Sequence, residues 1–183
     1  QDEDNPAPMA VDAFARALYG SHPYARKVRG SVATVETIRR QDLVRFYQKG
    51  FHPLAITIVV VGDVEEEAAI AAISKAFGDW SGDTALEGSA AVPDAVAPAA
   101  RQLVTVPMMN KAQADLAYGF VGIRRADPDY TAFSVMNNAL GQYAIGGRLG
   151  DRIRERQGMA YYVFSSLEAS LGAGPFTIRA GVS

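Results

Sequence analysis

Eight consecutive residues, Leu54-Ala55-Ile56-Thr57-Ile58-Val59-Val60-Val61, constrain this chain more than any other feature. They are apolar or β-branched on both alternating faces, a pattern that suits a strand buried inside a sheet and offers no polar face to solvent. The run is too short for a membrane-spanning helix, which needs roughly 20 apolar residues. Gly62-Asp63 turns the chain, and Glu65, Glu66 and Glu67 follow where a helix N-terminus favours negative charge. Ala68, Ile70, Ala71, Ile73, Ala76 and Phe77 then carry helical spacing to Gly78, so the segment predicts a strand-turn-helix unit.

On the N-terminal side, Asp12 to Leu18 has helical spacing and ends at Gly20-Ser21-His22-Pro23. Val35, Ile38, Leu43, Val44, Phe46 and Tyr47 recur at three- and four-residue steps before Gly50, predicting one broken helix or two short ones. Residues 81–101 are rich in Ala, Pro and Gly without periodicity and read as a linker between two blocks, 1–80 and 102–183. Beyond it, Gln102–Val106 and Gln113–Val121 are expected as strands joined through Pro107-Met108-Met109-Asn110-Lys111. Asp127-Pro128-Asp129 starts a helix that runs to Gly141, and a second helix covers about Arg148–Arg156. Tyr161–Ala169 and Pro175–Val182 form an expected hairpin, which leaves a strand edge at the C-terminus for another element. Helices grouped between hairpin-linked strands indicate an α+β fold, a two-layer arrangement with a mainly antiparallel sheet and helices on one face.

Apolar residues make up 49% of the 183 and charged residues 21%, ordinary globular proportions that argue against wholesale disorder. A formal net charge of −2 offers no basic stripe for a phosphate backbone, so nucleic acid is not an expected partner, and no membrane span is expected either. The start, Gln1 to Pro8, has neither a basic nor an apolar stretch of the secretory kind and reads as the cut edge of a longer polypeptide. With no cysteine, the redox compartment is left open and thiolate metal sites are excluded.

A catalytic metal needs several converging ligands and an open position for water. His22 and His52 are each followed by Pro, which disfavours the helical i, i+4 pairing of zinc motifs, so both are expected to serve turns or interfaces. No metal site is therefore expected here. Ser165-Ser166 lies in a strand rather than a sharp elbow, and Gly141 to Gly147 lacks the ending of a phosphate loop; tight turning between helices explains it. Arg154 and Tyr161 stand on either side of Gly158, one near a helix end and the other opening a strand, so they can share a rim. A guanidinium and a phenol together provide donors suited to a peptide carbonyl or its oxyanion. By spacing alone, such an Arg and such an aromatic are commonplace.

Six segments, taken in order, change the weight of that pair. They are His22-Pro23-Tyr24-Ala25-Arg26, Asp42-Leu43-Val44-Arg45-Phe46-Tyr47, Val59-Val60-Val61-Gly62-Asp63-Val64, Phe77-Gly78-Asp79-Trp80, Asp127-Pro128-Asp129-Tyr130, and Leu149 through Tyr161. Together they resemble successive landmarks of the pitrilysin/insulinase family of zinc metallopeptidases, from about residue 16 to the C-terminus. The resemblance implies a clamshell of two related α+β domains, similar to mitochondrial processing peptidase, with zinc in the first domain. Residues 1–80 would then be the end of the first repeat, after its inverted zinc motif, and 102–183 the start of the second.

The resemblance further implies that zinc belongs to a missing half or partner, so the chain would not hydrolyse peptides alone. Arg154 and Tyr161 match the family's substrate-contacting Arg and Tyr seven residues apart, which act on a peptide substrate. Tyr162, adjacent to Tyr161, points to the opposite face of a strand. The implied function is a non-catalytic fragment or subunit of a zinc metalloendopeptidase, working with a zinc-bearing half or partner subunit. The alternatives are a non-proteolytic assembly or scaffold subunit of the same family, or a peptide-binding module.

Overall fold

The structure is a computed structural model that describes residues 4–81, 91–143 and 146–182. Within the expected linker, residues 82–90 lie outside the described residues, as do Ala144 and Ile145 of the glycine segment. Two compact units are present: the described parts of 1–30 and 91–183 form one, and those of 31–90 form the other.

In the smaller unit, helix α2 spans Val32–Thr37 and α3 spans Arg40–Gly50. Of the two expected forms, one broken helix or two short ones, the chain takes the second. Ser31 and Thr34 cap α2 reciprocally, and the Arg39 N–H donates to the Asp42 carboxylate at 2.8 Å to start α3. A 3-10 turn over Pro53–Ala55 is capped by His52, whose Nδ1 accepts from the Leu54 N–H at 3.3 Å. A further helix, α4, spans Glu66–Phe77 and carries Glu66 and Glu67 in its first turn as its dipole favours.

The expected strand of residues 54–61 is corrected by the structure. No ladder forms along it, and Leu54, Val59 and Val61 are 82%, 78% and 91% exposed. The physical reason is that a strand exists only where a second backbone takes its hydrogen bonds, and no described residue of this unit supplies one.

The larger unit opens with α1, Pro6–Tyr19, longer than the predicted 12–18 because Asn5 caps it by accepting the Ala7 N–H at 3.2 Å, with Pro6 in the first turn. Strand β1 spans Ala114–Val121, β2 Tyr162–Leu167 and β3 Pro175–Val182, in the antiparallel order β1-β3-β2. Helix α5, Tyr130–Leu140, lies between β1 and the π-helical segment Gly150–Arg156. The predicted hairpin is present as β2 and β3. The other predicted hairpin is not, because residues 102–106 form no ladder and Leu103 is 88% exposed.

The core of this unit lies on the sheet. Val163 and Phe176 are buried, and the Phe176 ring stacks on Phe120 with centroids 5.3 Å apart. Both α5 and the π-helical segment pack on β2, while α1 packs on β1. An aromatic group ties α1 to the β2–β3 loop. The Tyr19 hydroxyl donates to the Ala173 carbonyl at 2.9 Å, and the Tyr24 hydroxyl accepts from the Gly172 N–H at 2.9 Å. His22 sits between these rings, Nδ1 accepting from the Tyr24 N–H at 3.1 Å and Nε2 lying 3.0 Å from the Pro93 carbonyl. Because a carbonyl only accepts, Nε2 carries the proton. Both histidines therefore cap His-Pro turns, the structural role their sequence context predicts.

Candidate functional site

The segment carrying Arg154 is a helix in hydrogen bonding but not an α-helix. Residues 150–156 are wound as a π-helix, a form that concentrates at functional sites. Its wider turn brings residues five apart together. Asp151 and Arg156 pair this way, with Nη2 to Oδ2 at 2.9 Å and Nε to Oδ1 at 3.2 Å, so Arg156 is committed to a two-pronged ion pair. Among the described residues, the Arg154 guanidinium meets just its neighbour Glu155, Nε to Oε1 at 3.6 Å, and about a third of the side chain is exposed. This contact is too long for a hydrogen bond and leaves the guanidinium able to take a ligand.

The segment ends on Gly158, with φ +63°, in the left-handed region that a side chain disfavours. The Gly158 N–H donates to the Arg154 carbonyl at 3.1 Å, and the Met159 N–H to Ile153 at 3.0 Å. Three residues later the chain enters the sheet, where the Tyr161 N–H donates to the Gly181 carbonyl at 2.8 Å. Tyr161 is 73% exposed, and among the described residues its hydroxyl has no hydrogen-bond partner. No hydrogen bond joins Tyr161 to Arg154. By strand alternation Tyr161 shares a face with Val163 and Ser165, the face on which the Ser165 hydroxyl donates to the α5 carbonyl of Asn137 at 3.4 Å.

Tyr162 has the opposite fate. Its hydroxyl donates to the Asp115 carboxylate, and its ring lies 5.9 Å from that of Phe164. Burial first, then the Asp115 hydrogen bond and charge, push the Tyr162 phenol up to about 12, partly offset by the Arg179 guanidinium. Of the two adjacent phenols, Tyr162 is occupied and Tyr161 is free. Sequence spacing singled out Tyr161 but gave no hint of Asp115, which pairs through strand register alone.

Behind the site, the glycine segment acts as a packing turn. A Cβ on Gly147 would come within 2.4 Å of the Gly141 Cα, so the two backbones cross closely. The Gly141 carbonyl accepts from the Ser165 N–H at 3.1 Å, covering the outer edge of β2. Buried Asn137 donates through Nδ2 to Gln142 at 3.2 Å, while its Oδ1 has no partner among the described residues. Among the described residues, no group of three or more His, Asp or Glu side chains could hold a metal ion, so these residues do not fit a resident zinc. No described helix is long and apolar enough to cross a membrane.

Comparison with known proteins adds what geometry does not supply. The family described as peptidase M16 inactive domain matches residues 37–183. An uncharacterized zinc protease of Streptomyces coelicolor is 32% identical over 98% of this chain and 39% of its own length. The crystal structure of a peptidase M16 inactive domain from Pseudomonas fluorescens superposes with a TM-score of 0.83 at 29% identity, covering 99% of this chain and 43% of that one. A protease from Helicobacter pylori shares the fold, with a TM-score of 0.80 at 20% identity. The chain thus spans about two fifths of the length of these proteins.

Proposed function

Since the chain belongs to the peptidase M16 family and matches its inactive domain, we propose that it is a non-catalytic part of a zinc metalloendopeptidase and supplies substrate-binding residues to a zinc-bearing half. In this reading, residues 1–80 end the first α+β repeat and 102–183 begin the second, joined by 81–101. The observation that carries it is the match over residues 37–183 to a domain described as inactive. Zinc, in the other half, would activate the water that attacks the peptide. The residues of this chain would bind the substrate and receive charge. Arg154 and Tyr161 donate to the scissile carbonyl and to the oxyanion it becomes, a role supported by a loosely paired guanidinium and an unpartnered exposed phenol.

Steady-state kinetics on the assembly with the zinc-bearing half, beside thermal unfolding of the same proteins, test this. Arg154→Ala and Tyr161→Phe are each expected to lower kcat about 100- to 1000-fold, as loss of an oxyanion donor does, with folding and zinc content retained. The double variant should lose less than the product of the two, because both donors serve one charge. Wild-type turnover in all three would remove the pair from the site and favour the assembly or scaffold role.

A further inference from the structure

We propose that Asp115 and Tyr162 form a register lock across β3 that decides which of the twin tyrosines faces the substrate, making Asp115 a positioning residue for Tyr161. The substrate role of Tyr161 rests on the function proposed above; the lock itself does not.

The lock is a single row across the sheet. Asp115 on β1 is the register partner of Gly181 on β3, and Gly181 is the partner of Tyr162 on β2. Residues of one row project to the same face, and the outer two lie two strand spacings apart, about 10 Å. That span is beyond most side chains. It is bridged because the central residue has no side chain: a Cβ on Gly181 would come within 2.5 Å of Tyr162 Cε1. The ring therefore lies across bare backbone and delivers its hydroxyl to Asp115. Gly181 also accepts the Tyr161 N–H through its carbonyl at 2.8 Å, so one residue fixes both tyrosines.

Why register matters here follows from the sequence of the junction. Tyr161 and Tyr162 are identical neighbours, and a slip of one residue at the start of β2 would exchange their faces with little change in composition. Tyr161 cannot prevent this, since its own phenol is bound to nothing among the described residues. Gly158, three residues upstream, adds a permissive backbone position. The discriminating contact is the one that Tyr162 makes and Tyr161 does not. Arg179 on β3 is the cation facing the same phenol, and its guanidinium also lies over the Phe164 ring at 5.3 Å, which keeps it on that face.

Nitration with tetranitromethane at pH 8, mapped by mass spectrometry, reads the lock without reference to activity. Wild-type protein should be modified at exposed Tyr161 and spared at Tyr162, whose hydroxyl is bonded to Asp115. Asp115→Ala removes the hydrogen-bond and charge contributions while the larger effect of burial stays, so the Tyr162 phenol should fall part of the way from about 12 and its nitration should rise several-fold. Asp115→Asn, which keeps an acceptor, should restore most of the selectivity. Unchanged selectivity in Asp115→Ala would overturn the lock.

Kinetics in the zinc-bearing assembly read the consequence. Asp115→Ala and Tyr162→Phe should each lower kcat about 10-fold, and Asp115→Ala added to Tyr161→Phe should cost nothing more, because positioning is worthless once the positioned hydroxyl is gone. Full additivity of the two changes would overturn the positioning role and leave a purely structural one. If Tyr161→Phe itself turned over like wild type, the proposed function would fail at that residue, while nitration would still judge the lock.

Discussion

Burial first, and then the hydrogen bond to Asp115 and its charge, make the phenol of Tyr162 a pH-sensitive part of the fold. Its folded-state value is raised from 10 to about 12, so between these values the unfolded chain has lost a proton that the folded chain keeps. The contribution is therefore fully present below pH 10 and is lost as pH rises toward 12. Thermal unfolding in this window should show falling Tm, and Tyr162→Phe should flatten the decline; an identical slope in both proteins would detach the titration from this residue. Gly158 is the second residue on which the site depends. Its φ of +63° costs an L side chain about 1–2 kcal/mol, so Gly158→Ala is expected to lower stability by that amount in denaturant unfolding. Substitution of exposed Val28, by contrast, should stay within about 0.5 kcal/mol.

At the scale of elements, β3 is the centre of the sheet and carries its best-buried aromatic. Phe176→Ala is expected to cost about 3–5 kcal/mol, whereas truncating Leu103, which the structure leaves exposed, should be nearly neutral. Residues 56–61 present the opposite case, a β-branched run with no ladder. The proposed partnership predicts that amide exchange here is fast in the chain alone and slows about 100-fold, equivalent to roughly 3 kcal/mol, when the zinc-bearing half is added. Unchanged exchange in a complex that demonstrably forms would show that the run is not where the partner adds backbone. The free outer edge of β1, whose only ladder partner among the described residues is β3, invites the same measurement.

For the whole molecule, the proposed division into two repeats predicts where a broad-specificity protease cuts first. Residues 81–101 should be cleaved before any helix or strand, and on the N-terminal side of Val92, because Pro93 meets His22 and Asp94 pairs with Arg124. First cleavage within β2 or β3 would contradict it. The helices were legible in the sequence because their signals are local: acidic residues opening α4, three-to-four-residue apolar spacing and glycine stops all act within a few positions, whereas the Asn5 cap that lengthens α1 was not read. The β2–β3 hairpin was legible for the same reason, its strands being separated by a short glycine-containing turn. The Arg154 and Tyr161 pair could be picked out only through ordered motifs, since neither residue is unusual by itself. Strand propensity at 56–61 and 102–106 was real, but propensity does not supply a neighbour, and without one the hydrogen bonds of a strand have nowhere to go. Local chemistry thus determined the helices, the turns and the hairpin. Tertiary structure alone decided which apolar runs are paired, and that Asp115, 47 residues away, holds Tyr162 and leaves Tyr161 free, because cross-strand register is a contact between distant segments that no local pattern encodes.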